Sequence, residues 1–372
     1  MPFKYFINFD CRHYKGEKPC RFKRECKNCL HYESMGARIL IIKLAAAGDV
    51  LRTTPLLYAL KKRYKKSWIV WLTDKFSIPL LEDNQYIDRL LAFGHDATIE
   101  LLGQKFDLVI CLDKEPRAVA LANLIKADRK LGFSMMQFGT LGVFNPEATY
   151  ALALGVSDPL KFYENKKTYQ EIIFEATGFK YRREPYVLNL LPQVVSEAKV
   201  KLKKLGVRPG EAIGVNTGAG KIFETKKWPE KYFVELIKLI WSKTGAKIIL
   251  LGGPEEAELN KRIKKTFKSD AGVVDAGTDN PLNLFCAIVS LLRLVVTADT
   301  MALHLAIALK VPVVVLLGPT CSQEIDLYGR GEIIVGKALC APCYRASCDD
   351  PVCMESIKPK EVFEVVKRWI SG

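Results

Sequence analysis

The sequence predicts an α/β protein built from two doubly wound parallel sheets. Short, wholly apolar runs rich in Val, Ile and Leu recur along the chain, as strands buried on both faces of a parallel sheet require. Segments with apolar residues at helical spacing alternate with those runs. The alternation is completed once before residue 180 and begins again after residue 200, across a stretch punctuated by Pro185 and Pro192. A chain of 372 residues accommodates two such units.

Residues 1–36 form a Cys-rich arm with little apolar periodicity, carrying 8 Lys and Arg against 4 Asp and Glu. The first domain is expected over 37–185. It opens with a strand from Arg38 to Leu44, a turn of small residues ending at Gly48 and Asp49, and a helix from Leu56 to Tyr64 with Pro55 in its first turn. Strands follow at Trp68–Thr73, Arg89–Ala92 and Leu108–Leu112, with helices at Phe76–Glu82 and from Asp113 to Ile125. Residues 131–165, rich in Gly, Phe and Met, suit a loop region facing a substrate.

Residues 181–200 read as a linker, and the second domain spans 186–358. Its strands are expected at Ala212–Val215, Lys247–Leu251, Gly272–Asp275, Leu294–Val296 and Val311–Leu317, with helices at Pro229–Thr244 and Leu282–Ser290. The last 14 residues, 359–372, read as a helix packing back on the first domain.

The stretch from Leu294 to Thr320 concentrates the polar residues of interest. Parallel sheets bind ligands at the carboxyl ends of their strands, and a helix N-terminus there attracts anions. Asp299 and Thr300 stand at such a helix start, His304 lies just inside it, and Gly318–Thr320 leaves the next strand. Together they read as a seat for phosphate and ribose.

Net charge is +15, which admits nucleic acid, an anionic membrane or acidic small substrates as partners. Mean hydropathy is +0.05, and no run of about 18 apolar residues spans a bilayer. The N-terminus lacks a signal-peptide core, so a cytoplasmic address is expected. No Gly-x-Gly-x-x-Gly follows the first strand, which argues against a nicotinamide oxidoreductase. Of the 11 cysteines, Cys11, Cys20, Cys26 and Cys29 cluster at the front, and Cys340, Cys343, Cys348 and Cys353 near the end. Each set admits a four-thiolate structural zinc or an iron–sulfur cluster, or else free reduced thiols or disulfides, the last disfavoured in an ordinary cytosol. Cys111 and Cys286 read as core residues.

Four segments in order resemble glycosyltransferase family 9, the heptosyltransferases of lipopolysaccharide-core synthesis. They are Ile39–Leu57 with its Ala-Ala-Ala-Gly-Asp turn, Asn216–Pro229 with Lys-Lys-Trp-Pro, Leu250–Glu256, and Leu294–Thr320. The resemblance implies a GT-B architecture: two Rossmann-like domains facing a cleft, with donor on the C-terminal and acceptor on the N-terminal domain. It implies Asp49 as catalytic base, the role inverting transfer needs at the acceptor hydroxyl; by itself Asp49 also reads as a turn residue. Lys226 takes the position that offsets charge on the departing diphosphate, though by residue type it or Lys227 equally reads as solvated surface. Thr217, Gly218 and Gly220 form a loop whose backbone N–H groups can reach phosphate, though such a loop equally reads as Gly-rich for turning alone. Glu256 falls at the ribose-binding position; it and Glu255 also suit a helix first turn. Asp299, Thr300, His304 and Gly318 complete the donor set. For Asp299 the alternative is a plain N-cap, and for His304 a core histidine. Met301 replaces a Gly that many family members carry. Cys340–Cys353 resembles a Cys-rich segment of some members; the N-terminal arm lies outside the family pattern.

The expected function is therefore an inverting glycosyltransferase. It would carry a heptose from ADP-heptose to a lipopolysaccharide-core-like or other glycan acceptor, with no cofactor for catalysis and peripheral contact with an anionic inner membrane. The alternative is a basic, Cys-rich nucleic-acid-binding protein on a Rossmann scaffold.

Overall fold

The structure, a computed structural model, describes residues 5–220, 222–267 and 272–371. The first four residues of the expected arm and Gly372 lie outside them. Two six-stranded sheets organise the chain. The first uses β1 (Ala37–Ile42), β2 (Ser67–Thr73), β3 (Arg89–Ala92), β4 (Lys105–Cys111), β5 (Lys126–Met135) and β6 (Leu141–Val143) in the order β3-β2-β1-β4-β5-β6. Helices α1 (Ala47–Thr53), α2 (Leu56–Arg63), α3 (Ile78–Leu81), α4 (His95–Leu102), α5 (Pro116–Leu124), α6 (Thr149–Ala153) and α7 (Tyr169–Ala176) accompany it.

The second half contains α8 (Pro192–Lys204), β7 (Ile213–Asn216), α9 (Glu230–Thr244), β8 (Ile248–Leu251), α10 (Ala257–Thr266), β9 (Val273–Asp275) and α11 (Leu282–Ser290). It continues with β10 (Leu294–Ala298), α12 (Met301–Ala308), β11 (Val313–Leu317), β12 (Gly331–Val335), α13 (Val352–Ser356) and α14 (Pro359–Ser371). Its sheet order is β12-β11-β10-β7-β8-β9. Counted from the first strand of each half, both sheets follow the doubly wound order 3-2-1-4-5-6. All strand pairs are parallel except β5 with β6.

Alternate side chains of each strand enter different cores. Ile39, Ile41 and Trp71 pack on Leu56, Leu57 and Leu60, whereas Leu40, Ile42 and Val109 pack with Leu101 and Leu121 on the other face. In the second half Val295, Val313 and Val315 meet α8, α11 and α12; Leu294, Val296 and Val314 meet α9 and α14. Burial of both faces accounts for the unbroken apolar runs.

Three expectations are corrected. Among the described residues α14 packs on α9 and on β10, β11 and β12, all elements of the second half. Val362, Val366 and Ile370, spaced four apart, join Phe363 in the second domain's core, and Trp369 Nε1 donates to Glu332 on β12 at 3.0 Å. That apolar stripe matches the open face of the second sheet, which leaves nothing for the other domain. The expected linker contains α8 from Pro192 onward, because proline suits a first helical turn as well as an extended segment. Residues 131–165 are less irregular than expected: β5 continues to Met135 and turns back as β6.

Candidate active site

The strand order reverses between β1 and β4 in the first sheet and between β7 and β10 in the second. A doubly wound sheet opens its ligand crevice at that reversal, beyond the carboxyl ends of the strands. Both crevices face one junction between the halves.

On the first side, Asp113 follows β4. Its carboxylate accepts the backbone N–H groups of Leu44 at 2.9 Å, Ala45 at 3.1 Å and Glu115 at 3.0 Å, and lies 3.4 Å from Lys43 Nζ. Burial works to raise the Asp113 pKa, but Lys43 and these N–H groups hold it below the ordinary carboxylate value. Burial likewise opposes the Lys43 charge, yet Tyr169, Asp49 and Asp113 together raise its pKa. This ion pair fixes the turn that delivers α1. Asp49 sits in the first turn of α1 with 38% of its side chain exposed, and Arg52 Nη1 lies 3.6 Å from its Oδ1. Arg52 is buried, stacks 3.8 Å over Tyr169, and donates to the Glu324 carbonyl of the second domain at 2.8 Å. A carboxylate left this open can take up a proton from a hydroxyl brought to it.

On the second side, the α12 N-terminus points into the junction. Thr300 is its N-cap and accepts the Ala302 N–H at 3.2 Å. Lys226 donates to Asp299 Oδ2 at 2.9 Å and to the Asp299 carbonyl at 3.2 Å. Burial raises the Asp299 pKa, but Lys226 and His304 outweigh it and leave the group lowered. His304 Nε2 lies 4.0 Å from Asp299 Oδ1, and its Nδ1 lies 3.4 Å from the Tyr186 hydroxyl. Burial, reinforced by Arg52, lowers the His304 pKa to about 4, so the ring is neutral near pH 7.

The two sides touch at Gly48. A Cβ there would stand 2.6 Å from His304 Cδ2, so the glycine permits the crossing of α1 and α12. Beside this crossing opens a cavity of about 320 Å³, lined by Gly218, Gly220, Gly253, Glu256, Thr300 and Met301 among others. Phe76 reaches it from the first domain. Glu256 lies across two glycines: a Cβ on Gly218 would come within 2.2 Å of its carboxyl carbon, and one on Gly252 within 2.7 Å of its Cβ. Its Oε2 accepts the Gly253 N–H at 2.9 Å. A buried carboxylate at the edge of an apolar, glycine-walled cavity suits hydroxyl donors of a ribose. The adjacent α12 N-terminus and Lys226 suit a diphosphate.

Comparison with known proteins identifies the family. Residues 97–352 match Glycosyltransferase family 9 (heptosyltransferase), which is more than half of the chain. The chain belongs to glycosyltransferase family 9. Lipooligosaccharide heptosyltransferase 2 of Campylobacter jejuni is 22% identical over 336 residues, covering 87% of this chain and 96% of that protein. A family 9 glycosyl transferase structure from Veillonella parvula superposes with TM-score 0.71 at 20% identity, covering 90% of this chain and 97% of that one. The structure of ADP-heptose lps heptosyltransferase II from E. coli does so with TM-score 0.68 at 18% identity, covering 90% and 98%. These folds share the GT-B arrangement seen here, and none of the three matches supports the nucleic-acid-binding alternative.

At this candidate site, Asp49, Lys226, Asp299, Thr300 and His304 come together at the junction, and Gly218, Gly220 and Glu256 line the adjoining cavity. Two expected donor residues are placed elsewhere. Thr217 is buried; its hydroxyl donates to Asn260 Oδ1 at 2.6 Å and its N–H to the Leu251 carbonyl at 3.2 Å, so both polar groups are spent on internal structure. Gly318 lies under the Cys-rich loop, where a Cβ would meet Met354 Sδ at 2.6 Å and Cys353 Sγ at 2.9 Å. Its smallness serves packing. Among the described residues, no three His, Cys, Asp or Glu side chains converge on one point closely enough to hold a single metal ion, neither at Cys11, Cys20, Cys26 and Cys29 nor at Cys340, Cys343, Cys348 and Cys353.

Sequence reading missed Asp113, Arg52 and Asn216. Asn216 Nδ2 donates to the Gly218 carbonyl at 3.1 Å and to Thr297 Oγ1 at 3.1 Å, tying the glycine loop to β10. Arg52 was detectable, since a cation three residues after Asp49 shares its helical face. Asp113 was detectable as the acidic residue leaving the strand beside β1. No helix among the described residues is long and apolar enough to cross a membrane.

Proposed function

We propose that this chain transfers a heptose from ADP-heptose to a lipopolysaccharide-core-type glycan with inversion at the anomeric carbon. Asp49 removes the proton of the acceptor hydroxyl, whose oxygen attacks the anomeric carbon. The bond from that carbon to the diphosphate oxygen breaks, and its electron pair leaves with the ADP. An ammonium has three donors. Asp299 engages two of the Lys226 contacts, which aims the remaining donor and the charge at the departing diphosphate beside the α12 N-terminus. The observation that carries the reading is the placement of Asp49 across the Gly48–His304 crossing from the Lys226–Asp299 pair. The names of the relatives supply the sugar and the nucleotide.

Asp49→Asn tests it. Loss of a general base lowers turnover by about 10²–10⁴-fold, while ADP should still raise the melting temperature as in the wild type. Transfer from ADP-heptose that survives Asp49→Asn within a few-fold would remove the base from this mechanism.

A further inference from the structure

We propose that the N-terminal arm binds an iron–sulfur cluster through Cys11, Cys20, Cys26 and Cys29. The arm has almost no regular structure among its described residues: its one ladder contact is the antiparallel bridge of Cys11 with Ser34. It nevertheless encloses a cavity of about 130 Å³, and all four cysteines line it, together with Phe22 and Tyr14. A segment this short cannot close a core of its own without a staple.

The loops around the cavity are shaped for thiolates. After Cys20 the chain turns through Lys23 at φ +49°, and between Cys26 and Cys29 through Asn28 at φ +54°. The first turn is closed by the Lys23 N–H donating to the Cys20 carbonyl at 2.9 Å, and the second by the Cys29 N–H donating to the Cys26 carbonyl at 3.3 Å. Successive N–H groups in such a turn make a concavity for negative charge of the kind that receives iron–sulfur clusters. Lys18 and Arg24 line the same cavity and complement that charge.

The size of the space selects the cluster over a single ion. One zinc draws four sulfurs to about 2.3 Å from a common point. Here no three potential ligands among the described residues converge that far, and the four thiols instead ring an open volume. A cluster uses a ring of this kind, because each thiolate bonds its own iron at the periphery of an iron–sulfide body. Each cysteine thiolate replaces a thiolate of a carrier that delivers the preassembled iron–sulfide body, the cysteine's proton passing to the released carrier thiolate, so no iron changes oxidation state in the step. Two histidines line the cavity as well: His13 Nε2 lies 3.3 Å from Glu33, and His31 stacks on Phe22 with ring centroids 4.0 Å apart.

The arm docks at the amino ends of β1 to β3, where Arg12 pairs with Asp88 at 2.6 Å and lies 5.6 Å over Trp68. Asp49 follows the opposite end of β1, a strand of 6 residues, about 20 Å away at the rise of an extended chain. The cluster therefore anchors the arm to the first domain and takes no part in sugar transfer.

The test is metal and sulfide analysis of the full chain purified without oxygen, with its visible absorption spectrum. Three proteins are compared: the wild type, Cys26→Ser with Cys29→Ser, and Cys340→Ser with Cys343→Ser. The expected result is iron and acid-labile sulfide in equal amounts, with brown charge-transfer absorption, in the wild type and in the C-terminal double variant. Both are absent from the N-terminal double variant, which keeps a cooperative melting transition. Zinc without sulfide in the wild type would overturn the cluster, as would metal-free wild-type protein. Iron retained by the N-terminal variant and lost by the C-terminal one would place the site at the wrong end of the chain.

Discussion

At His304, solvent exclusion and local charge act on one titratable group. Burial and the Arg52 cation push its pKa down to about 4, against the pull of Asp299 and Asp49. In the unfolded chain the imidazole titrates near 6.5. Between those values the unfolded chain binds a proton that the folded chain refuses, so stability falls as pH drops from about 6.5 towards 4. Above that window His304 contributes no pH dependence. The full loss is on the order of 3 kcal/mol. Asp299 is also lowered, by Lys226 and His304 against burial, so its contribution is lost only below the ordinary carboxylate range and does not overlap. The melting temperature of the wild type should therefore fall more steeply between pH 6.5 and 4.5 than that of His304→Gln. Parallel curves for the two proteins would assign the pH dependence to other groups.

The glycine loop after β7 and the helix α10 meet through Glu256, and this contact between elements shapes the cavity. Gly218 cannot take a Cβ, because the buried Glu256 carboxyl carbon would lie 2.2 Å from it and that side chain is also pressed on Gly252. Gly218→Ala should displace Glu256 and weaken ADP binding about tenfold, some 1.4 kcal/mol, as read by calorimetric titration. Unchanged affinity would mean that Glu256 does not contact the nucleotide. This dependence was half visible beforehand. Gly218 and Glu256 stand 38 residues apart, and only the fold brings them together, through the pairing of β7 with β8. Strands buried on both faces, such as Ile39–Ile42 and Val313–Leu317, were legible because continuous apolar sequence has few other uses. β12 was not: Gly331–Val335 is a half-exposed edge strand, with neither a continuous run nor a clean alternation. α8 was hidden by Pro192, which opens a helix as readily as it breaks one. Motif position alone points to Thr217 and Gly318 as ligands, because sequence does not say which way a side chain or a missing one faces. The neighbours that decide it, Asn260 and Met354, lie 43 and 36 residues away.

The two halves are held closed by contacts that also belong to the site. Leu51 and Leu80 of the first domain join the second domain's core, Arg183 pairs with Asp326 at 2.8 Å, and the Tyr181 and Tyr328 hydroxyls lie 2.7 Å apart. Tyr344 of the Cys-rich loop stacks on Phe162 across the junction, with centroids 5.8 Å apart. At Gly48 on His304 the fit of the two halves depends on one missing methyl group. In Gly48→Ala the new carbon would stand 2.6 Å from a buried ring that Tyr186 and Asp299 hold in place, so α1 and α12 must separate. Asp49 moves with α1, while Lys226, Asp299 and Glu256 stay with the second domain. Displacement of a catalytic group by about 1 Å costs on the order of 10²-fold in rate. Gly48→Ala should therefore lose about that factor in turnover and keep the wild-type affinity for ADP. Steady-state transfer rates and calorimetric titration with ADP on the same preparation separate the two effects. Equal losses in both would show that the nucleotide is gripped by both domains, and that closure precedes donor binding instead of serving the transfer step.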